Sequence, residues 1–293
     1  MNGYRYARPA SVEEAVELLE RHRDDAHVLA GGTALTLLMK HGFVEPGVLV
    51  DLAGIDGLAG VSAAPDGAIE IGALRPLRRI ERDPLVLDHQ PALASTIARV
   101  ATVRIRNQAT LGGNLAHADP AQDPPPMLLV LDAEVDAVGP DGTRSIPLDG
   151  FFVDVFETVL GPADVLTTIR VPALPPRSRV RYEKFLPRTA DDYATVSVAA
   201  RISLGDDGRI ADARLALGAA GSVPMRVPAA EQLLVGADPA AVDLDAVAEA
   251  AREAADPVDD VRGSAAWKRD MVGVWAGRAI GRLVSPNAGA SAA

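Results

Sequence analysis

The chain has 293 residues, of which 48% are hydrophobic and 24% charged, a composition typical of a folded protein of two or three domains. Its formal net charge of −11 argues against a nucleic-acid partner, because phosphate binding needs clustered positive charge. The absence of cysteine excludes disulfides, thiolate catalysis and cysteine-ligated iron–sulfur clusters within this chain. The five histidines show no metal-ligand spacing, so we expect any metal redox centre to lie on another chain. Neither a membrane span nor a secretory signal is recognised, which predicts a cytoplasmic protein.

The N-terminal elements alternate between helix and strand. Ser11 and Glu14 form a capping box, and the apolar spacing that follows predicts a helix through Arg21. Gly31-Gly32 then separates a short strand from a helix. The predicted elements up to residue 73 are strands at His27–Ala30, Val48–Leu52 and Ala68–Ala73 and a helix at 33–40.

A second glycine turn, Thr110–Asn114, follows a predicted helix at Pro91–Val100 and the polar, basic stretch Arg104–Gln108. Asp123 and the three prolines behind it predict the start of a short helix that ends at Leu131. The next two runs, 133–138 and 143–148, are joined by Gly-Pro-Asp-Gly and predict a hairpin.

The proline-rich stretch 172–177 predicts a domain boundary. Three strands are predicted beyond it, at 180–186, 195–204 and 209–219, and three helices, at 227–234, 244–254 and 264–284. In the last helix Trp267, Met271, Trp275 and Ile280 fall near one face, which favours a role in the core over a cofactor site. The small, polar residues 285–293 predict a disordered tail.

The two glycine turns are the candidate binding motifs. A double glycine before a helix lets backbone N–H groups approach an anion, because no Cβ intervenes. Gly31-Gly32-Thr33 alone is equally compatible with a plain strand–helix turn. Together with Thr110–Asn114, it predicts a pyrophosphate held from two sides. The sequence contains no G-x-G-x-x-G motif, which argues against a Rossmann dinucleotide site. Asp123 is either a ribose or adenine anchor or a helix N-cap.

The two glycine motifs and their flanking residues resemble the signatures of a known protein family. Residues 28–35 and 105–120 resemble the two FAD signatures of the molybdenum hydroxylase flavoprotein subunits. That family includes the medium subunit of aerobic carbon monoxide dehydrogenase and the central FAD domain of xanthine dehydrogenase. Lys184 and residues 191–194 resemble the family's segment beside the flavin ring, and the resemblance extends to about residue 284.

The resemblance implies an α+β fold. Residues 1–175 would form a two-lobed FAD-binding domain of the vanillyl-alcohol-oxidase type, with the lobe boundary near residue 55. Residues 176–284 would form a C-terminal flavoprotein domain with a three-stranded antiparallel sheet and a helical bundle. The implied function is electron transfer through FAD, with a large molybdopterin subunit and a small subunit carrying [2Fe–2S] clusters as partners in a dimer of heterotrimers.

The resemblance also implies a set of FAD contacts, and neither a catalytic residue nor a metal ligand in this chain. The two glycine motifs would surround the pyrophosphate, largely through backbone amides, with Val100 and Asp123 along the adenosine half and Leu166, Lys184 and Tyr193 near the flavin. The full set is Val28, Leu29, Ala30, Gly31, Gly32, Thr33, Ala34, Leu35, Val100, Thr110, Leu111, Gly112, Gly113, Asn114, Asp123, Leu166, Lys184 and Tyr193.

Several alternatives stay open at this point. Ala34 stands where the family often has Asp or Ser, so the phosphate contacts of the first loop depart from the family pattern. Lys184 is equally compatible with a surface salt bridge, and Tyr193 with a core or interface aromatic. A self-contained FAD oxidoreductase of the same fold is the alternative function, and a flavin-free scaffold is a further one.

Overall fold

The computed structural model describes residues 3–187 and 193–285. These form two compact units, each assembled from separate stretches of chain. The first contains residues up to His89, Ala101–Ala118 and Ala133–Pro172, and the second contains Gln90–Val100, Asp119–Asp132 and the described residues from Ala173 onward. The linear domain boundaries expected from the sequence stay a prediction, and the predicted tail at 286–293 lies outside the described residues.

The first unit contains a small parallel sheet of β1 (Arg5–Ala7), β2 (Ala26–Leu29) and β3 (Val48–Asp51), with β3 in the centre. Helix α1 (Val12–His22) connects β1 to β2, and the Ser11 hydroxyl caps it by accepting a hydrogen bond from the Glu14 N–H, as predicted. Helix α2 (Leu35–Lys40) follows β2.

A five-stranded antiparallel sheet forms the rest of this unit's framework. Its order is β4-β5-β10-β6-β7, and the β6–β7 hairpin confirms the one predicted from the glycine-rich loop between the two strands. A two-stranded ribbon, β8–β9, follows β7 in the chain. The bounds are β4 Val61–Ala63, β5 Ile69–Gly72, β6 Glu134–Gly139, β7 Gly142–Pro147, β8 Phe152–Asp154, β9 Glu157–Thr158 and β10 Val165–Val171.

The first unit also contains four short helices, α3 (Leu77–Ile80), α4 (Pro84–His89), α6 (Val103–Gln108) and α7 (Leu111–His117), and the second glycine motif forms the start of α7. The polar stretch before the motif and the glycine turn itself are therefore helical, which the sequence did not predict. The reason is capping: Thr102 accepts a hydrogen bond from the Ile105 N–H and Thr110 accepts one from the Gly113 N–H. Capping of this kind contributes about 1 kcal/mol and offsets the poor helix propensity of glycine.

The second unit is built on an antiparallel sheet whose three long strands match those predicted. They are β11 (Ser178–Phe185), β12 (Val196–Leu204) and β13 (Ile210–Gly218), and a two-residue strand, β14 (Met225–Arg226), adds a fourth at the edge. The helices of this unit are α5 Pro91–Ile97, α8 Pro124–Val130, α9 Pro228–Leu234, α10 Leu244–Ala254 and α11 Ala265–Val284.

The core of the second unit lies between the sheet and helices α9, α10 and α11. Ile280 is fully buried in this core, and Met271 and Trp275 are partly buried against it, which confirms the predicted core role for these three residues. Trp267 is outside this cluster, and its ring centroid lies 5.6 Å from that of Phe185. Within residues 3–187 and 193–285, every helix is too short or too polar to span a bilayer.

Candidate cofactor-binding site

The first glycine motif forms the turn between β2 and α2. Val28 and Leu29 end the strand, Leu35 begins the helix, and the residues between them are partly exposed. Gly32 adopts a φ of 70°, in the left-handed region that favours glycine, so the turn depends on this residue.

Five consecutive backbone N–H groups of this turn, from Gly31 to Leu35, have no hydrogen-bond acceptor among the described residues. The next amide, of Thr36, is bonded to the Gly32 carbonyl at 3.0 Å. Backbone donors are normally paired in a folded protein, so a row of free, partly exposed N–H groups is typical of an anion-binding site. Ala34 adds no side-chain donor, which leaves the backbone as the main source of donors in this loop.

The second glycine motif differs, because its amides are already bonded within the protein. The Leu111 and Gly112 N–H groups donate to the carbonyls of Arg75 and Ala73 at 3.3 and 2.9 Å. The next two amides, of Gly113 and Asn114, are bonded to the hydroxyl and the carbonyl of Thr110 at 3.1 and 2.9 Å. The expectation of free backbone donors in this turn is therefore wrong, since Ala73, Arg75 and Thr110 already accept from all four N–H groups.

The second motif can contact a ligand through its side chains, and it lies close to the first motif. The Asn114 Oδ1 atom is buried without a hydrogen-bond partner among the described residues, as a polar group facing a bound ligand would be. A Cβ on Gly113 would lie 3.4 Å from the Ala30 Cβ, and a Cβ on Gly31 would lie 2.0 Å from the Gln108 carbonyl oxygen. The two motifs thus meet because Gly31 and Gly113 have no side chain at these contacts.

Two further predicted FAD contacts, Gly112 and Leu166, are packed within the first unit. A Cβ on Gly112 would lie 2.8 Å from the Ala73 carbonyl oxygen, so this glycine allows α7 to pack against the chain that follows β5. Leu166, predicted to touch the flavin, lies on β10 and is buried beside a bulge in the pairing with β6.

The second unit holds a buried polar cluster that contains two of the predicted residues. Lys184 Nζ lies 2.8 Å from Asp123 Oδ2, and both side chains are at most 4% exposed. The Tyr182 hydroxyl donates to Asp123 Oδ1 at 2.5 Å, and Lys184 also donates to the Arg99 carbonyl at 3.1 Å. Lys184 is therefore in an ion pair, but a buried one, unlike the surface salt bridge considered from the sequence.

Burial dominates the electrostatics of this cluster. It raises the pKa of the Asp123 carboxyl, and Lys184 opposes that rise by favouring the carboxylate. Burial and the neighbouring Asp123 together raise the pKa of Tyr182 well above its ordinary value, so its hydroxyl stays a hydrogen-bond donor. Asp123 precedes α8, yet its side chain makes no capping hydrogen bond.

Tyr193 and Val100 are the other predicted contacts in the second unit. The Tyr193 side chain is 44% exposed, with the Arg262 guanidinium 5.8 Å from its ring centroid, so it is not a core aromatic. Val100 follows α5 and is partly buried.

Sequence reasoning missed Tyr182, which completes the buried cluster, and Arg99, an exposed residue whose carbonyl accepts a hydrogen bond from Lys184. Tyr182 and Lys184 are two residues apart on β11, so their side chains share one face of the strand. That spacing could have identified Tyr182 once Lys184 was chosen. Arg99 had no comparable signal, since only the fold brings its carbonyl to Lys184.

The comparisons with known proteins agree over nearly the whole chain. Residues 2–174 match the family described as the FAD binding domain in molybdopterin dehydrogenase, and residues 181–283 match the CO dehydrogenase flavoprotein C-terminal domain. The chain is 34% identical to the 6-hydroxypseudooxynicotine dehydrogenase complex subunit alpha of Paenarthrobacter nicotinovorans, over 95% of this chain and 94% of that one.

Carbon monoxide dehydrogenase provides the structural comparison. The chain is 33% identical to the medium chain of the Hydrogenophaga pseudoflava enzyme, over 94% of this chain and 96% of that one. A solved structure of carbon monoxide dehydrogenase from the same organism, in a form that lacks the Mo-pyranopterin moiety, matches with a TM-score of 0.91 and 35% identity, over 94% and 96% of the two chains. The chain therefore belongs to the family of FAD-binding medium subunits of the molybdenum hydroxylases.

Proposed function

We propose that this chain is the electron-relay subunit of a heteromeric molybdenum hydroxylase. In this role it receives electrons from [2Fe–2S] clusters on a small partner subunit and passes them to an external acceptor. A large molybdopterin subunit would oxidise the substrate, and a dimer of heterotrimers in the cytoplasm is the expected assembly. Bound FAD supplies the redox chemistry, since flavin exchanges electrons singly or in pairs.

The observation that carries the proposal is the row of free amides in the first glycine turn, where the two motifs meet. A pyrophosphate needs several donors, and Gly31 to Leu35 offer five backbone N–H groups without an acceptor among the described residues. The side chains of Thr110 and Asn114 belong to the second motif, which approaches the first at Ala30 and Gly31. Val100, Asp123, Leu166, Lys184 and Tyr193 stay predicted contacts of the remainder of the cofactor.

The composition supports a relay rather than a self-contained oxidase. Cysteine is absent from the sequence, and the described residues contain no group of three His, Asp or Glu side chains placed to hold a metal. An iron–sulfur donor therefore needs another chain to carry it. Relatives named as a complex subunit and as a medium chain support the same view.

The relay is tested by following flavin absorbance without oxygen. We expect dithionite to bleach the isolated FAD-loaded chain and an added acceptor to restore its colour. The substrate of the complex should bleach the flavin only when the molybdenum and iron–sulfur chains are both present. Rapid bleaching of the lone chain by that substrate would reject the relay and favour the self-contained FAD oxidoreductase.

Tyr193→Ala tests the proposed place of this ring near the flavin. We expect FAD content to be retained, while flavin fluorescence or the rate of flavin reoxidation changes, because an exposed aromatic ring would shield the flavin from oxidants. Tyr4→Ala is a matched control, since Tyr4 is 45% exposed and Tyr193 is 44% exposed. Unchanged fluorescence and kinetics in Tyr193→Ala would show that this ring lies away from the cofactor.

A further inference from the structure

A cavity of about 440 Å³ opens on the first unit, and none of its lining residues is among the predicted FAD contacts. Its volume is within the range of small-molecule sites, roughly 300–1,000 Å³. Four of the side chains around it are arginines, and a single aspartate opposes them. The lining is Arg75, Arg78, Arg79, Arg82, Asp83, Pro84 and Asn107.

Two of these arginines are held in place by buried carboxylates. Arg75 Nη2 lies 2.6 Å from Asp83 Oδ2, and the Asp83 side chain is 10% exposed. Arg78 pairs with Glu81, whose side chain is 4% exposed. These ion pairs hold the two guanidinium groups in the wall of the cavity, although Glu81 shares its charge with Arg106, whose Nε lies 2.7 Å from Glu81 Oε2.

The other two arginines, Arg79 and Arg82, are exposed, and their guanidinium groups make no hydrogen bond or ion pair with any described residue. Arg79 lies on α3, and Arg82 lies in the turn that leads to α4. Two free guanidinium groups at one cavity repel each other. They form a local positive charge on a chain whose net charge is −11. A bound anion would remove that repulsion.

We propose that this cavity is a second phosphate-binding site, which takes a small ligand bearing a phosphate or diphosphate group. Arginine presents a planar fork of N–H donors that matches phosphate oxygens in pairs, and all the cationic side chains of this lining are arginines. The Asn107 amide adds a neutral polar group at the rim. The site does not depend on the proposed electron relay, because its four arginines lie outside both FAD signatures, and Asn107, which belongs to the second signature, is not among the predicted FAD contacts.

Titration of the FAD-loaded protein with inorganic pyrophosphate tests the proposal. We expect saturable binding by calorimetry that weakens as salt rises, because the two arginines are exposed to screening. The variant Arg79→Gln/Arg82→Gln should bind pyrophosphate at least about tenfold more weakly, since two charge-assisted contacts are lost. Arg104→Gln is the matched control, because Arg104 is an exposed arginine of α6 outside the lining, and it should bind like the unaltered protein.

A parallel titration with ADP distinguishes the sources of the phosphate. Tighter binding of ADP than of pyrophosphate would assign the site to a nucleotide, and equal binding would assign it to free phosphates. The proposal fails if pyrophosphate binds only to FAD-free protein, since the glycine turn would then be its site. It also fails if pyrophosphate does not bind at all, or if Arg104→Gln weakens binding as much as the double variant does. FAD content, read from absorbance, reports separately on the cofactor site.

Discussion

Gly31→Ala is expected to abolish FAD binding and to lower the melting temperature of the protein by several degrees. A Cβ at this position would lie 2.0 Å from the Gln108 carbonyl oxygen and 3.0 Å from the Ala109 Cα. Both are backbone atoms, so the two glycine motifs must separate to admit the methyl group. Forcing extra carbon into a packed contact costs about 1–3 kcal/mol, and separation of the motifs also displaces the row of free amides.

Gly60→Ala is the matched control for this substitution, because a Cβ on Gly60 would meet only the Gly57 carbonyl oxygen, at 3.9 Å. It should retain the FAD content and the melting temperature of the unaltered protein. The measurements are the ratio of flavin to protein absorbance and calorimetric melting. A Gly31→Ala protein with full FAD content would show that contact between the two motifs is not needed for cofactor binding.

Gly113→Ala separates cofactor loss from loss of folding. Its Cβ would meet the Thr110 hydroxyl at 2.9 Å and the Ala30 Cβ at 3.4 Å, and side chains of this kind can shift more readily than backbone. We therefore expect a smaller fall in melting temperature than for Gly31→Ala, together with weaker FAD binding. An unaltered FAD affinity in this variant would indicate that the second motif supports the fold and leaves the pyrophosphate to the first.

Lys184→Met is expected to destabilise the second unit by about 3–5 kcal/mol, because it leaves the buried Asp123 carboxylate without its cation. The pair is formed at 2.8 Å between side chains that are at most 4% exposed. Adding Asp123→Asn to Lys184→Met should recover part of the loss, since no unpaired buried charge then remains. Calorimetric melting of the two single variants and the double variant measures this coupling.

An exposed ion pair provides the comparison. Arg252 and Glu249 lie 2.8 Å apart, with side chains 45% and 50% exposed, and Glu249→Gln should cost no more than about 1 kcal/mol. If Lys184→Met lowers the melting temperature no more than Glu249→Gln does, the buried Asp123–Lys184 pair contributes no more to stability than the exposed pair. Recovery in the double variant would show that the cost arises from the isolated charge rather than from lost packing.

Local physical rules accounted for the elements whose signals are contiguous. The capping box at Ser11 placed the start of α1, and the glycine-rich loop at 139–142 placed the β6–β7 hairpin. Six strands were not predicted, namely β1, β4, β8, β9, β10 and β14. Five of them are only two or three residues long, and β10 is recognisable as a strand only through its pairing with β5 and β6.

The amino-acid sequence by itself determined that this chain contains two phosphate-type glycine motifs and lacks the cysteines that an iron–sulfur cluster requires, because both features depend only on residue type and spacing. The tertiary structure alone decided which amides are free. Residues 31–35 keep their donors because the turn has no acceptor for them among the described residues, whereas the carbonyls of Ala73 and Arg75 and the hydroxyl and carbonyl of Thr110 accept from the N–H groups of 111–114. The tertiary structure likewise decided the role of Lys184, because the fold places the Asp123 carboxylate 61 residues away in the chain within hydrogen-bond distance, in a site from which water is excluded.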